Sequence, residues 1–466
     1  RFGYQLPIAQ EMNTAMTSRC IHITFPAHIT LALACFATAA VQRADQVIEE
    51  GDITFKDYIA KHGRKYDESS AEYSMREELF KKRYAWVRAQ NMRPHALWKA
   101  APTRFSDFTD AERAAMRGYR RSMNAARPSA SALETTDTKK VEKSMQSLPD
   151  SWSWTHLRVA KNIQDQGGCG SCWAIATTSA LEAHYEIYSA KGGPTRSFSA
   201  QQVLDCTPNP EACGGTGGCN GATVELGMAW VLQHGLATEE DVPYLGEDSG
   251  CGKAKVLDQN ADVSATQGGA EFGLSSWVKL DSNKAYPLAE AVVHYGPVAV
   301  SAAASDWFEY STGIFDSCDQ DAVVDHAIVL YGFGVENSVR YWLIRNSWGR
   351  DWGEHGYIRL LRHGDGEQYC GTDDNPSEGT GCKGGPPSVP VCGMCGVLFD
   401  SVVPHFAGSP SQNSSLLAQS VAIDTKGRMP TADALLRVDE FAQAADPGIE
   451  VDGVPSLFRR EVRRHD

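Results

Sequence analysis

The 466-residue chain has no uninterrupted apolar run of the roughly 20 residues that a bilayer span needs. Its one mostly apolar segment, Ile21 to Ala40, is broken by His22, Pro26 and His28. Positive charge is not in surplus: 44 Lys and Arg stand against 58 Asp and Glu, a net charge of −14, which argues against a nucleic-acid partner. No phosphate-binding glycine loop is present, since Gly332-Phe333-Gly334 is too short to form one, and no internal repeat recurs. An apolar fraction of 42% excludes a collagen-like or wholly disordered chain.

Cysteine, by contrast, is abundant. Eleven of the thirteen lie between Cys169 and Cys395, more than a reducing cytosol favours, so disulfides formed in the secretory pathway are expected and a targeting signal with them. Residues 16–40 fit a signal peptide: a short polar start with Arg19, an apolar core, and the small-residue end Ala37-Thr38-Ala39-Ala40. Residues 51–125 are charged with helical spacing. Residues 126–147 are small and polar and read as an exposed linker. Aromatics, glycines and cysteines mark 148–404 as the main globular unit. The remainder, 405–466, has few aromatics and a basic end and is expected to be a disordered tail; it holds the one glycosylation sequon, Asn413-Ser414-Ser415.

Inside the main unit, Cys172 to Ala190 carries no Gly or Pro and predicts one long buried helix with Cys172 in its first turn. Ser199-x-x-Gln202 matches a capping box that starts a second helix through Leu204. Val298-Ala299-Val300, Ala327-Ile328-Val329-Leu330 and Tyr341-Trp342-Leu343-Ile344 read as strands. Helices first and strands later imply an α+β architecture with two subdomains.

The chemistry concentrates in Gln166-Gly-Gly-Cys169-Gly-Ser-Cys172-Trp173. As a redox dithiol, Cys169 and Cys172 would want a thioredoxin-like βαβ setting, which is absent. As plain disulfide partners they meet a parity problem, because eleven cysteines leave one over from five bridges. As a nucleophile, Cys172 gains from the free N–H groups and dipole of a helix start, which stabilise a thiolate. Such a thiolate needs a base, and the base an orienting group. Of His156, His184, His234, His294, His326, His355 and His363, His326 stands out, since Asp325-His326 immediately precedes a buried strand. Asn346, after another strand, can accept the imidazole N–H and fix its tautomer, with Trp348 covering that bond from water.

On these residues the chain resembles a papain-type, cathepsin L-like cysteine protease precursor. The stretch Asn346-Ser-Trp-Gly-Arg-Asp-Trp-Gly-Glu-His-Gly-Tyr357 matches the family pattern around its Asn. The resemblance implies a papain-like two-subdomain α+β fold, a helical left and a β-barrel-like right subdomain, preceded by a helical inhibitory propeptide. It makes Cys172 the nucleophile, His326 the base and later acid, and Asn346 the orienter. The Gln166 side chain and the Cys172 N–H would form the oxyanion hole. Glu72, Arg76, Phe80, Val87 and Asn91 fall at the family's propeptide spacing, with Arg83 where Asn is usual; Phe105 and Asp107 match its next motif, with Ala101 and Thr103 in place of Gly and Asn. That segment is expected to block the cleft until acid weakens its ion pairs.

The resemblance also implies bridges Cys169–Cys219 and Cys206–Cys251. It leaves Cys213, Cys318, Cys370, Cys382, Cys392 and Cys395 open among 15 connectivities. A zinc site built on Cys392-x-x-Cys395 with Cys370 and Cys382 is the alternative to disulfides there; neither metal nor cofactor is expected. Trp348, Gly221, Ala222, Asp325 and Ser301 are expected along the substrate cleft. Alignment of Cys395 to Pro404 puts Asp400 at the base of the pocket for the second residue before the scissile bond, where an acid would attract Arg or Lys. The expected activity is that of a monomeric endopeptidase zymogen acting on proteins and peptides, free of any membrane after signal removal, in a lysosome or digestive vacuole or outside the cell. A catalytically silent binding protein is the competing class, and the unplaced insert 362–395 keeps an exopeptidase in play.

Overall fold

The computed structural model describes residues 53–118, 148–190, 193–252, 268–364, 369–410 and 419–420. The expected signal at 16–40, the linker at 126–147 and most of the tail, sequon included, lie outside the described residues. Two compact units are distinguished, one ending at Lys65 and one beginning at Tyr66. In the first, α1 (Phe55–Lys61) starts at a reciprocal cap: the Thr54 hydroxyl accepts the Asp57 N–H and the Asp57 carboxylate accepts the Thr54 N–H.

In the second unit, α2 (Ala71–Met92) buries Tyr73, Phe80, Val87 and Gln90 along one stripe. It is followed by β1 (Trp98–Ala100), which Asn91 pins with hydrogen bonds from both ends of its amide to Ala100, and by α3 (Asp110–Ala115). After β2 (Trp152–Ser153) comes α4 (Cys172–His184), buried at every residue, hence a central helix that other elements surround. Its expected extension to Ala190 is different in kind: Tyr185–Ser189 winds as a half-buried π turn. At α5 (Ala200–Cys206) the Ser199 hydroxyl accepts the Gln202 N–H, but the Gln202 Oε1 accepts from the Ala237 N–H, a tertiary partner. α6 (Val224–His234) stops at Gly235, whose φ of +80° suits glycine.

From there the chain builds β3 (Leu274–Lys279), α7 (Ala285–His294), β4 (Val298–Ala302), β5 (Tyr310–Phe315), β6 (His326–Glu336), β7 (Val339–Arg345), β8 (Tyr357–Leu361), β9 (Cys370–Asp373), β10 (Val389–Cys392), β11 (Ser401–Phe406) and β12 (Gln419–Ser420). The main sheet runs β1-β5-β8-β7-β6-β4-β11-β3-β12, with β2 also on β6, and only β5–β8 is parallel. β9 and β10 form their own ribbon. The sheet therefore takes in residues beyond Pro404: β11 ends at Phe406, and β12 pairs with β3.

Two apolar clusters sit side by side. One surrounds α4 with Trp173, Leu181, Val203 and Met228; the other lies within the sheet with Val300, Phe315, Ile344 and Leu360. β6 divides them by simple alternation, since Ala327, Val329 and Tyr331 join the first while Ile328 and Leu330 join the second. His326, the first residue of β6, thus stands at the seam of the two cores.

Candidate active site

Among the described residues, Cys172 is the one free thiol, and it is buried. The other ten cysteines of the main unit form Cys169–Cys219, Cys206–Cys251, Cys213–Cys382, Cys318–Cys395 and Cys370–Cys392. This removes the redox dithiol, because Cys169 is committed to Cys219. It also corrects the zinc alternative: Cys370, Cys382, Cys392 and Cys395 are all oxidised and have no thiolate to offer.

Helix α4 begins at Cys172, so its Sγ lies where the first backbone N–H groups of the helix are unpaired. The Ala327 N–H donates to Sγ at 3.3 Å, which brings the start of β6, and His326 with it, onto the start of α4. His326 Nε2 lies 2.8 Å from Asn346 Oδ1, which also accepts the Ser347 N–H at 2.8 Å. An amide oxygen only accepts, so Nε2 carries the proton and Nδ1, buried without a hydrogen-bond partner, keeps its lone pair. The Trp348 ring lies 5.0 Å from the imidazole and screens this bond.

Gln166 is fully buried and held by its oxygen: Oε1 accepts the Ser347 hydroxyl proton at 2.7 Å. That fixes the amide so that Nε2 donates, to Met116 O at 2.6 Å and to Cys169 O at 2.9 Å. Tyr244 supports the same turn by donating to Gln166 O at 2.9 Å. Ser347 and Tyr244 are positioning residues that sequence reasoning missed. Ser347 stood inside the Asn346-Ser347-Trp348 motif, whereas Tyr244 has no local signal.

Met116, Arg117 and Gly118 occupy the cleft. A Cβ at Gly118 would run into Cys172 Sγ and lie 2.8 Å from Gly170 O, and a Cβ at Gly221 would run into Gly118 O. Gly118 therefore threads between the thiol and Gly221. Arg117 Nε pairs with Asp325 Oδ2 at 2.8 Å, while Asp325 Oδ1 accepts the Ala304 N–H at 3.0 Å. Upstream, β1 extends the sheet at β5, Arg113 pairs with the buried Glu309, and Phe105 packs edge-on against Phe308 and Trp348. Arg83 donates to the carbonyls of Phe105, Ser106 and Phe108 and so holds the turn that aims Phe105.

With this segment seated, burial pushes the Cys172 thiol up to about 12, against the N–H groups of Ala327 and Gly118 that favour the thiolate. Burial also pushes the His326 imidazolium down to about 4, against the bond to Asn346. The pair is therefore a neutral thiol beside a neutral imidazole. Burial raises the Asp325 carboxyl to about 6, while Arg117 pulls it down.

Ala222 and Ser301 are fully buried, and the Ser301 hydroxyl donates to Asp400 Oδ2 at 2.8 Å. Asp400 has partners of its own chain. Its Oδ1 lies 3.0 Å from Lys279 Nζ, which also pairs with Glu225 at 2.9 Å. The acid expected to attract a basic substrate side chain is thus paired with a lysine of its own chain; burial and the neighbouring Glu225 push its carboxyl up, while Lys279 and the Ser301 hydroxyl pull it down. Glu225 and Lys279 come from α6 and β3, and no motif announced them.

A family model described as papain family cysteine protease matches residues 148–380, and one described as cathepsin propeptide inhibitor domain (I29) matches 55–112. A cathepsin L-like proteinase of Phaedon cochleariae is 31% identical, with 74% of this chain and 97% of that protein covered. Pro-cathepsin H of Mus musculus is 30% identical over 68% of this chain and 87% of its own length. A cysteine proteinase of Arabidopsis thaliana is also 30% identical, over 69% of this chain, which spans 65% of the plant protein. Among solved structures, digestive procathepsin L 3 of Tenebrio molitor larval midgut aligns with a TM-score of 0.55 and 25% identity over 75% of this chain and 97% of that one.

Proposed function

Because the chain belongs to the papain family of cysteine proteases, with an inhibitory propeptide domain ahead of its peptidase domain, we propose that Cys172, His326, Asn346 and Gln166 carry out peptide hydrolysis. Once the propeptide leaves, water re-enters and the penalty on charge falls, so the proton passes from Sγ to His326 Nδ1. The thiolate attacks a peptide carbonyl carbon, and the oxyanion is held by Gln166 Nε2 and the Cys172 N–H. His326 gives its proton to the departing amine as the C–N bond breaks; it then takes a proton from water, whose oxygen attacks the acyl carbon, and the C–S bond breaks to free the carboxylic acid and the Cys172 thiolate. Asn346 holds the imidazole in one tautomer throughout.

One observation carries this reading: the Met116 carbonyl already sits on Gln166 Nε2, 2.6 Å away, with Gly118 against the thiol. A backbone carbonyl is bound where an oxyanion would form. The direction is that of an inhibitor. The leaving amine must lie toward His326, so a substrate runs from the Gly221 side to the Asp325 side, whereas residues 117 to 118 run from Asp325 to Gly221. Ion pairs of Arg113 and Arg117 with Glu309 and Asp325 make the seating dependent on charge. Five disulfides support folding in an oxidising compartment, and we place the enzyme in the secretory pathway, in a lysosome or digestive vacuole or outside the cell. Expression of the full chain with stepwise acidification tests the reading. Shortening of the chain with peptide hydrolysis in the wild type, and neither in Cys172→Ala, is expected; equal hydrolysis by both would overturn it.

A further inference from the structure

Between β9 and β10 the chain makes an excursion that the mechanism above does not use. On one side it is fixed to the sheet subdomain. The Thr380 N–H donates to Val324 O at 3.2 Å, the Val324 N–H donates to Asp373 Oδ2 at 3.1 Å, and Gly379 is so close that a Cβ would run into Val324 O. Val324 stands two residues before His326. On the other side it is fixed to the helical subdomain. Gly381 O accepts the Gly214 N–H at 3.0 Å, the Lys383 N–H donates to Glu211 O at 2.8 Å, and Cys382 is bonded to Cys213.

Thr380 and Gly381 alone therefore pass from one wall of the cleft to the other, and two residues reach no further than about 7 Å. The position of this crossing along the cleft follows from Gly221. Its missing side chain is what lets Gly118 O approach, and the same Cβ would also run into Gly214 O. Gly214, the left footing of the crossing, is thus the immediate neighbour of the point where a chain passes Gly221. That is the acyl side, away from the amine that His326 must protonate.

We propose that the Thr380-Gly381 crossing, locked by Cys213–Cys382, caps the acyl side of the cleft and biases the enzyme toward peptides with a free amino terminus a few residues ahead of the scissile bond. The proposal rests on the thiol-peptidase reading above and adds the class of substrate. A chain with many residues ahead of the cut meets a covalent bar between Val324 and Gly214, whereas a short amino-terminal segment ends before it.

The test uses the acid-activated enzyme and quenched fluorescent peptides that share one sequence around the cut but carry two or eight residues ahead of it. Labelling of Cys172 by a small thiol-directed epoxide counts folded active sites. The wild type should cleave the short peptide at least about tenfold faster per labelled site. The double variant Cys213→Ser with Cys382→Ser should gain on the long peptide and keep its rate on the short one. Equal rates on both lengths in the wild type would overturn the proposal without any variant, and so would a double variant that labels fully yet keeps the wild-type ratio. Absence of labelling and of hydrolysis at either length would refute the underlying thiol-peptidase reading instead.

Discussion

Gly118 is the residue whose replacement the structure judges most sharply. A methyl group there has no room, because Cys172 Sγ at the first residue of α4 and Gly170 O, in the turn just ahead of that helix, fill the space. Forcing such a group into a packed site costs about 1–3 kcal/mol, and 1.4 kcal/mol is a factor of ten in an equilibrium. Gly118→Ala should therefore raise the fraction of molecules with the cleft open by about 5- to 150-fold. The full-length protein at neutral pH, before any cleavage, is incubated with a small thiol-directed epoxide, and labelling of Cys172 is followed by mass. The wild type should label slowly, since the segment covers the thiol and keeps it protonated. Gly118→Ala should label faster by the stated factor. Gly168→Ala serves as the control, because a Cβ there meets nothing within 4 Å. Labelling of Gly118→Ala at the wild-type rate would refute the placement of this segment on the nucleophile.

The Arg76 guanidinium beside Glu112 holds that carboxyl down at about 2, below the usual range near 4.5. A depressed carboxylate stabilises the fold in full above its ordinary value and loses that contribution as pH falls through 4.5 toward 2. The pro-segment of Cys172→Ala should lose about 1–2 kcal/mol across that window, a figure discounted for the exposure of Glu112, and Glu112→Gln should flatten the loss in thermal melts. Asn346→Ala removes the acceptor that fixes His326, so kcat should fall at least about a hundredfold with KM little changed; an unaltered pH–rate profile at full kcat would contradict its role. Asp400→Ala should leave the ratio of Arg to Leu substrates unchanged, because Lys279 already holds that carboxylate; a selective loss of Arg substrates would restore the acidic-pocket expectation.

The chemistry was legible because it is written in short stretches. A helix start after Gly-Ser placed Cys172, a histidine before a buried strand placed His326, and one motif held Asn346, Ser347 and Trp348 together. The six open cysteines were not legible, since Cys213–Cys382 joins segments 169 residues apart through a topology that no local pattern encodes. The partner of Asp400 was not legible for the same reason: alignment gave its neighbours in sequence, while Lys279 arrives from β3. The buried run from Cys172 ends at His184 because the following turn winds as π and faces solvent in part, a change of winding that composition does not betray. Ser199 capped its helix as its type dictates, yet the Gln202 side chain accepts from the Ala237 N–H instead of closing the reciprocal cap.

The central claim is that Cys172 is a nucleophile held latent by the segment ending at Gly118. The direct test is mass-mapped epoxide labelling of the full chain before and after acidification, read beside peptide hydrolysis in the same samples. The account predicts that labelling falls on Cys172 alone and rises with hydrolysis as the pro-segment is shed. Labelling elsewhere, or full labelling of Cys172 before acidification, would contradict it.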